Sequence, residues 1–371
     1  MGIRNFLFAS IIFGYVSVSV MAATATSPIF GTYSIQCPAN ADTRFSVPIT
    51  RAVEFTGTVE AVHSENCKIL ANGEPNWAIN KFVYIQGTQS NHYYLKFTSG
   101  ALEGAWYDIK GNDAYSLEIV IGAAELTKVA AGDSFQIIPH WTLATLFPNG
   151  ATFTKCTTKA PSDITFIYKY TGYENGEIVY PTGKNNSPQM RYFYTTYREK
   201  NSWMSSTSVV ANDDIIEPNA FIFIRQPIDA ATIANFSGEI PMCKTSFVVS
   251  NLSTESDTDN YIAIPSATDM EIGELTQSFI EGGAFVPQDT KRNFGKDVLY
   301  TYNNVEVGKN VAPAHAYYYK TYNGANKWYE GSADSDANTL KACTEVAMLR
   351  KQNVGEIKSF RVTFTPKYIN R

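Results

Sequence analysis

One short segment near the C-terminus has the oxygen-bearing side chains and the spacing of a calcium-binding loop. Asp334, Asp336 and Asn338 stand at positions 1, 3 and 5 of the segment, and Glu345 stands at position 12. Hard cations need such converging oxygens, and the glutamate at position 12 closes a calcium loop with both carboxylate oxygens. Against this, Thr339 replaces the usual glycine of the sharp turn, and no helices are expected on either side. The segment predicts a calcium site or, as the alternative that these departures favour, a solvated hairpin turn.

A second set of candidate residues is aromatic and lies between about residues 71 and 140. Tyr and Trp rings offer flat apolar faces that pack on sugars or on protein surfaces, and their OH and NH groups fix orientation. Loops and insertions on a rigid scaffold are where binding concentrates. The alternative is that these rings only cover the core of the segment itself. The candidate ligand-binding residues are Trp77, Tyr93, Tyr94, Trp106 and Tyr107.

Motifs for catalysis are absent from the sequence. It contains no GxSxG elbow, no HExxH, no Walker loop and no GxGxxG. Its four histidines are far apart, and carboxylate pairs such as Asp213 and Asp214 are expected by chance among 35 acidic residues. No catalytic residue is assigned, and the sequence leans against an enzyme.

The first 22 residues predict a secretory signal peptide. Arg4 supplies a positive charge, residues 6–20 are mostly apolar, and the small-residue segment at 20–22 offers a cleavage site. The apolar run is shorter than the roughly 20 residues of a membrane span. The mature chain is therefore expected to be secreted or held at the cell surface, without a transmembrane segment.

Composition narrows the classes of partner. Charged residues make up 18% of the chain, aromatic residues 13%, and the net charge is −5. Because no basic stripe is present, nucleic acid is not an expected partner. Cys37, Cys67, Cys156, Cys243 and Cys343 lack CxxC spacing, which argues against a zinc site. In an exported chain some of them could pair, and buried unpaired thiols are the alternative.

Hydrophobic alternation with a period of two dominates the chain and predicts short β-strands. A helix of one or two turns is expected over residues 123–129. Many short strands separated by turn residues are typical of sandwiches or barrels. The predicted strands are 81–86, 93–97, 116–120, 134–138, 164–168, 220–224, 246–249 and 359–364.

The chain also resembles itself. Residues 192–203 align without a gap on residues 317–328, and six of the twelve positions are identical, including three tyrosines and the closing Trp203 and Trp328. Matched positions of this kind favour a shared core role for the two tryptophans over two binding sites. Three further segments match in the same order. They are 162–168 with 296–302, 221–226 with 347–352, and 45–48 with 262–265.

The predicted fold is therefore all-β, with two tandem, duplicated, β-sandwich-like lobes. The first lobe covers residues 23–252 and is enlarged by a β-rich insertion at about 71–140, which has no counterpart in the second lobe. The second lobe covers residues 257–371. The polar segment at 251–260 is expected to hold the boundary between them.

Several turn and aromatic patterns resemble an uncharacterised family of exported proteins from verrucomicrobial bacteria. The resemblance covers nearly the whole mature chain and implies an export route and a β-rich fold; it transfers no functional residue. The segments that carry it are DTRFSVP at 42–48, FTG at 55–57, GTQSN at 87–91, SG at 99–100, GD at 132–133 with residues 139–148, and AHAYYY at 314–319.

Three functions remain open. The first is an exported, non-enzymatic structural or adhesive protein of the cell surface that associates with itself or with other surface proteins. The second is a glycan-binding module that uses the insertion aromatics. The third is an exported hydrolase with an unrecognised site. We take the first as the prediction from sequence, with calcium as the only cofactor considered.

Overall fold

The computed structural model describes residues 27–156, 165–169, 172–174, 177–179, 187–288, 297–322, 324–352 and 355–370. The predicted signal peptide lies outside these residues. The described chain forms two sheet-based lobes and one closed barrel, so the prediction of an all-β fold is confirmed. Within the described residues, none of the helices has the length and hydropathy needed to cross a membrane.

Lobe 1 begins with β1 (Phe30–Cys37) and β2 (Asp42–Ser46). The barrel follows, with β3 (Phe55–His63), β4 (Lys68–Ala71), β5 (Tyr93–Phe97), β6 (Trp106–Asn112), β7 (Ser116–Ile119) and β8 (Ser134–Pro139). The chain then returns to lobe 1 with β9 (Trp141–Thr142), β10 (Phe166–Lys169), β11 (Gly172–Glu174), β12 (Glu177–Val179), β13 (Met190–Tyr197), β14 (Lys200–Ser205), β15 (Ile215–Ile216), β16 (Phe221–Arg225) and β17 (Thr232–Glu239).

Lobe 2 contains β18 (Thr245–Asn251), β19 (Thr258–Ala263), β20 (Met270–Glu271), β21 (Val298–Tyr302), β22 (His315–Tyr322), β23 (Ala325–Glu330), β24 (Ala333–Asp334), β25 (Thr339–Leu340), β26 (Val346–Lys351) and β27 (Lys358–Phe364). Helical segments are short: α1 (Ala123–Leu126), α2 (Leu143–Leu146), 3-10 turns at Ser64–Asn66, Pro148–Gly150, Ile272–Glu274 and Lys367–Asn370, and a π-helical turn at Thr276–Glu281.

The main sheets of the two lobes have the same strand order. Lobe 1 runs β14-β13-β10-β16-β2, and lobe 2 runs β23-β22-β21-β26-β19 with β24 added beside β23. Each lobe also pairs its first strand with its last, as β1 with β17 and β18 with β27. This is the arrangement that a duplicated unit requires, while a common origin of the lobes stays a prediction.

The Tyr/Trp signature forms the same hairpin in both lobes. Trp203 lies opposite Tyr194 in lobe 1, and Trp328 lies opposite Tyr319 in lobe 2. The two indoles are 1% and 0% exposed. The predicted core role of both tryptophans is therefore confirmed.

Strand pairing confirms one of the other three repeat alignments, that of 45–48 with 262–265, and corrects the remaining two. Ile167 and Leu299 are equivalent, because they face the matched Tyr192 and Tyr317, so the alignment of 162–168 with 296–302 was wrong by two residues. Ile224 faces Ile167 across the sheet of lobe 1, as Leu349 faces Leu299 in lobe 2. The equivalent of Arg225 is therefore Arg350, whereas the sequence alignment placed Lys351 there. That alignment was wrong by one residue because it matched the two glutamines that follow the strands, which lie outside the paired register.

The structure also shifts two predicted boundaries, the start of the insertion and the boundary between the two lobes. The barrel takes β3 and β4 as well as the later strands, so it begins at Phe55 rather than at about residue 71. Lobe 2 begins with β18, whose seven residues pair with β27. The polar segment at 251–260 is thus the connection from β18 to β19, which lie in different sheets of lobe 2, because polar turn residues mark a connection between strands as readily as a linker between lobes.

One predicted strand does not form. Residues 81–86 make turns with an isolated bridge between Ile85 and Gln89. Phe82 is fully buried in the barrel core, and its N–H donates to the side chain of Asn112. The aromatic and β-branched residues here pack the barrel interior rather than pair in a ladder. The other predicted strands overlap β5, β7, β8, β10, β16, β18 and β27, and the predicted helix overlaps α1.

The lobes contact each other through the outer edge of β2. The N–H of Asp42 donates to the carbonyl of Gly308 (2.9 Å), and that of Ser46 donates to the carbonyl of Cys343 (2.8 Å). The guanidinium of Arg44 lies 4.4 Å from the centre of the Tyr302 ring. Lobe 2 therefore covers the edge strand of lobe 1, which would otherwise present unpaired backbone groups.

The barrel touches lobe 2 where a glycine permits close approach. Gly104 has φ +87°, and its carbonyl accepts the N–H of Ser246 (3.1 Å). A Cβ at this position would lie 2.8 Å from the backbone of Lys244. A larger residue would therefore push the barrel away from lobe 2.

Cysteine thiols are part of the packing. Cys37, Cys243 and Cys343 are buried free thiols, and Cys67 is a half-buried one. The Cys343 thiol of lobe 2 reaches the core of lobe 1, where it donates to the carbonyl of Ser46 at 3.0 Å. Burial raises the pKa of the Cys37 thiol to about 11, so it stays protonated at neutral pH.

Candidate functional site

A cleft of about 600 Å³ opens where the barrel, lobe 1 and lobe 2 meet. Its size falls in the range of roughly 300–1,000 Å³ that is usual for small-molecule sites. The barrel supplies Trp106 and Tyr107, lobe 1 supplies the segment before β16, and lobe 2 supplies Phe247 and Tyr261. Lobe 1 also supplies Phe221, the first residue of β16, whose ring lies 5.2 Å from that of Tyr261. The cleft therefore brings aromatic rings from all three units together, although they are far apart in the sequence.

Trp106 and Tyr107 open strand β6, which places them at the rim of the barrel. Trp106 is half-buried, with its indole at 5.7 Å from the ring of His140 in an edge contact. Tyr107 is 8% exposed, and its ring packs at an angle on Phe97 in the barrel core. Because the two residues are consecutive in β6, their side chains point to opposite sides of the strand. Tyr107 belongs to the barrel core and reaches the cleft with its hydroxyl, whereas Trp106 presents its indole.

An ionic network crosses the cleft from the barrel to lobe 2. The guanidinium of Arg361 donates to both oxygens of Glu125, at 2.5 and 3.2 Å, and to the hydroxyl of Tyr107 at 2.9 Å. The hydroxyl of Tyr107 donates to Glu125 at 2.6 Å. Burial raises the pKa of the Glu125 carboxyl, but the hydrogen bonds from Arg361 and Tyr107 outweigh it and hold that pKa below its ordinary value. The carboxylate is therefore ionised at neutral pH.

His140, which follows β8, contacts Asp108 of β6 near the rim of the barrel. Its Nε2 lies 2.6 Å from Oδ1 of Asp108, and the imidazole is fully buried. Its Nδ1 is among the buried atoms without a hydrogen-bond partner in the described part of the chain. The contact fixes the carboxylate of Asp108 at the wall of the cleft.

A second cavity of about 420 Å³ lies between the barrel and lobe 1. Tyr84 and His92 of the barrel stack there, with ring centres 4.2 Å apart and planes 7° from parallel. Burial lowers the pKa of His92, and the neighbouring His140 lowers it further, so the imidazole is neutral at pH 7. Asp108, Lys110 and Val120 line both cavities.

The lobe 1 wall of this cavity is acidic. The hydroxyl of Tyr84 donates to Asp213 at 2.9 Å. Burial raises the pKa of the Asp214 carboxyl, although a hydrogen bond from Tyr192 and the charge of Lys169 oppose the rise. Two neighbouring carboxyls therefore face one cavity, and the raised pKa of Asp214 suits acid–base chemistry.

The structure separates the predicted ligand-binding residues into two groups. Trp106 and Tyr107 line the three-unit cleft, and Tyr93 contributes to the second cavity. Trp77 is 7% exposed in the barrel core, where it packs edge-on against the ring of Phe82, and Tyr94 is 2% exposed. Trp77, in the connection between β4 and β5, serves the barrel core. Tyr94 instead packs against Trp106 and His140, because alternation along β5 turns its neighbours Tyr93 and Leu95 into that core.

The oxygens of the predicted calcium loop have other partners. Asp334 accepts from the ammonium of Lys327 (2.6 Å), and Asp336 accepts from the N–H of Trp328 (2.8 Å). Glu345 accepts from the N–H of Lys341 (3.0 Å), and the amide of Asn338 contacts the hydroxyl of Tyr317 (3.4 Å). Among the described residues, no group of three or more His, Cys, Asp or Glu side chains gathers as metal ligands would. The segment is a turn from β24 to β25, which pair with β23 and β20 rather than with each other, and Asp336 and Glu345 cap backbone groups in it. The calcium site stays a prediction.

Sequence reasoning missed the partners of the aromatic residues. Glu125 and Arg361 are 236 residues apart, and no local pattern connects them. Asp214 carries a weak signal, since the Tyr/Trp hairpin aligns its surroundings with those of Asn338 in lobe 2. Asp213 and Asp214 had been set aside because any acidic chain offers such pairs.

Comparisons with family models, curated proteins and solved structures found no match for this chain. The resemblance to exported verrucomicrobial proteins stays a prediction.

Proposed function

We propose that this chain is an exported, adhesive surface protein that binds glycans in the three-unit cleft. The observation that carries the proposal is the position of Trp106 and Tyr107, which the barrel holds at the cleft wall beside the Glu125–Arg361 pair. An aromatic face packs against the C–H face of a sugar ring, and adjacent charged groups bind its hydroxyls. Adhesion then follows from recognition of a glycan rather than from self-association.

The cleft suits an uncharged or weakly charged ligand. Its charged side chains already have partners, since Arg361 pairs with Glu125, Lys110 with Glu118 and Glu217 with Lys169. The carboxylate of Asp108 contacts the imidazole of His140. A strongly ionic ligand would have to break one of these ion pairs and leave one of its two side chains without a counter-charge. A polyhydroxylated ligand leaves the ion pairs intact, because its hydroxyls only replace the hydrogen bonds that the cleft makes with water.

A glycan array followed by calorimetry on each hit tests the proposal. Trp106→Ala is expected to lower affinity for a bound glycan by about tenfold or more, because it removes a stacking face. Tyr115→Ala is the matched control, since Tyr115 is a barrel residue that is 45% exposed and lies outside the cleft lining. A blank array, or equal affinity of Trp106→Ala and the unaltered protein, overturns the proposal.

A hydrolase is the second candidate, and the acidic cavity is the observation that favours it. Asp214, whose pKa burial raises, is the candidate general acid, and the exposed Asp213 is the candidate base. Incubation of the protein with polysaccharides should then release reducing ends, and Asp214→Asn should abolish the release. Unchanged polysaccharides with the unaltered protein argue for binding alone.

Self-association of the mature protein stays a prediction as well. Size-exclusion chromatography over a range of concentrations tests it, and a monomer at every concentration would count against it.

A further inference from the structure

The two cavities adjoin along one strand edge. Asp108 and Lys110 of β6, together with Val120 just after β7, line both of them. The same short wall therefore separates two spaces that each have the size of a small-ligand site. A ligand that fills one cavity and extends past Asp108 enters the other.

Each cavity has its own aromatic surface. The first has the indole of Trp106, and the second has the parallel rings of Tyr84 and His92. Two aromatic surfaces on either side of one carboxylate suit a chain of linked sugars, in which ring faces recur at intervals along the ligand. A single sugar would use only one of the surfaces.

The second cavity also selects by charge. Asp213 and Asp214 lie on its wall, and the described residues supply no cation within ion-pair distance of either carboxylate. The exposed carboxylate of Asp213 repels an acidic sugar and tolerates a neutral or amino sugar. The two lysines on this wall are already paired, Lys169 with Glu217 at 2.8 Å and Lys110 with Glu118 at 3.0 Å.

We infer that the two cavities form one extended groove for an oligosaccharide of neutral or amino sugars, with Tyr84 and His92 as the distal subsite. The inference rests on the proposed glycan binding and adds the length and charge of the ligand. Asp108, held by His140, marks the point where the chain passes from one subsite to the other.

Calorimetry with three ligand series tests this inference on the mature protein. The probes are cello-oligosaccharides, chitosan oligomers and oligogalacturonides, each from two to six sugars long. Affinity for at least one of the first two series should rise by about tenfold from dimer to hexamer, the gain of a second stacking contact. Oligogalacturonides should bind more weakly at every length.

Variants distinguish a failure of this inference from a failure of the proposed glycan binding. Tyr84→Ala should remove the gain with length and leave the affinity for dimers unchanged, whereas Trp106→Ala should weaken dimers and hexamers alike. Tyr115→Ala is again the control, and thermal unfolding shows that each variant is folded. Binding that is lost in Trp106→Ala but does not depend on length, or that prefers oligogalacturonides, overturns the inference alone. Absence of binding to every series and to the array overturns both.

Discussion

Arg225 and Asp42 form a two-point ion pair across strands β16 and β2, with Nε–Oδ1 at 2.6 Å and Nη2–Oδ2 at 2.8 Å. The equivalent residues of lobe 2, Arg350 and Asp259, form the same pair at 2.7 and 2.9 Å. Both aspartate side chains are fully buried. The pair of lobe 1 also connects the two lobes, because Asp42 accepts a hydrogen bond from the N–H of Asn310 of lobe 2 at 2.6 Å.

Breaking either pair is expected to destabilise the fold, since a half-buried arginine loses the fully buried carboxylate that it pairs with. Asp259→Asn should lower the free energy of unfolding by about 3 kcal/mol, and Asp42→Asn by up to about 5 kcal/mol, because the latter also weakens the contact between the lobes. Urea unfolding followed by tryptophan fluorescence measures both. Asp229→Asn, at an acidic residue outside both pairs, is the control. Losses below 1 kcal/mol, or the reverse order, would contradict the equivalence of the two pairs.

The hairpins could be predicted from sequence because alternation along a strand fixes which side chains meet. Once Trp203 and Trp328 align with their preceding tyrosines, the register of both hairpins follows. Closure of the barrel could not be predicted, because it depends on pairing between Phe55 and Ile137 at opposite ends of the segment. The contact between Arg44 and Tyr302 could not be predicted either, since no sequence pattern links the two segments that make it.

Trp203 and Trp328 offer a direct comparison of the two lobe cores. Trp→Ala at either position should lower the free energy of unfolding by about 3–5 kcal/mol, because each indole is fully buried. Each also loses an indole hydrogen bond, to the carbonyl of Phe147 and to the hydroxyl of Thr276 respectively. Chemical denaturation measures the change, and Trp→Phe at the same positions should cost less. A loss near zero for one tryptophan would show that its lobe does not depend on this core.

Asp214 and Asn338 occupy the same place in the two lobes. The Trp203 N–H donates to Asn212, two residues before Asp214, as the Trp328 N–H donates to Asp336, two residues before Asn338. Both then face the hydroxyl of a tyrosine, so an asparagine is compatible with this site.

Asp214→Asn should therefore stabilise the protein at pH 7. Burial raises the pKa of Asp214, so the folded state favours its neutral form, and the associated stability is lost as pH rises through that raised pKa. Asparagine stays neutral and avoids the loss. The free energy of unfolding of the variant should exceed that of the unaltered protein at pH 7, and the difference should shrink at about pH 3, below the ordinary aspartate pKa. Asp213→Asn, at an exposed residue, should show no such difference. Equal destabilisation by Asp214→Asn at both pH values would contradict the assignment.

The candidate site depends on long-range contacts more than the fold does. Trp106 and Tyr107 could be selected from their residue types, yet the same criterion selected Trp77, which lies in the barrel core, and Tyr94, which is buried against Trp106 and His140. Inward and outward positions alternate on a barrel, so residue type alone does not distinguish a lining ring from a core ring. The rim of the barrel becomes the wall of a cleft only because lobe 2 packs beside it.

Glu125 and Arg361 should couple the barrel to lobe 2 in a pH-dependent manner. The pKa of Glu125 lies below its ordinary value, so the stability from the pair is present at neutral pH and is lost as pH falls through that lowered pKa, below about pH 4. Glu125→Gln removes the charge at every pH. It should lower the free energy of unfolding by about 1 kcal/mol at pH 7, since the pair is partly exposed. The difference between the variant and the unaltered protein should vanish in acid.

Hydrogen exchange locates the effect. At pH 7, Glu125→Gln should speed exchange in α1 and β27, which carry the two partners, and leave the hairpin of Trp203 unchanged. Lys128→Gln is the matched control, because Lys128 lies 3.9 Å from the same carboxylate and is half exposed. A stability difference that persists in acid, or equal effects of the two substitutions, would show that the Arg361 contact does not hold the barrel against lobe 2.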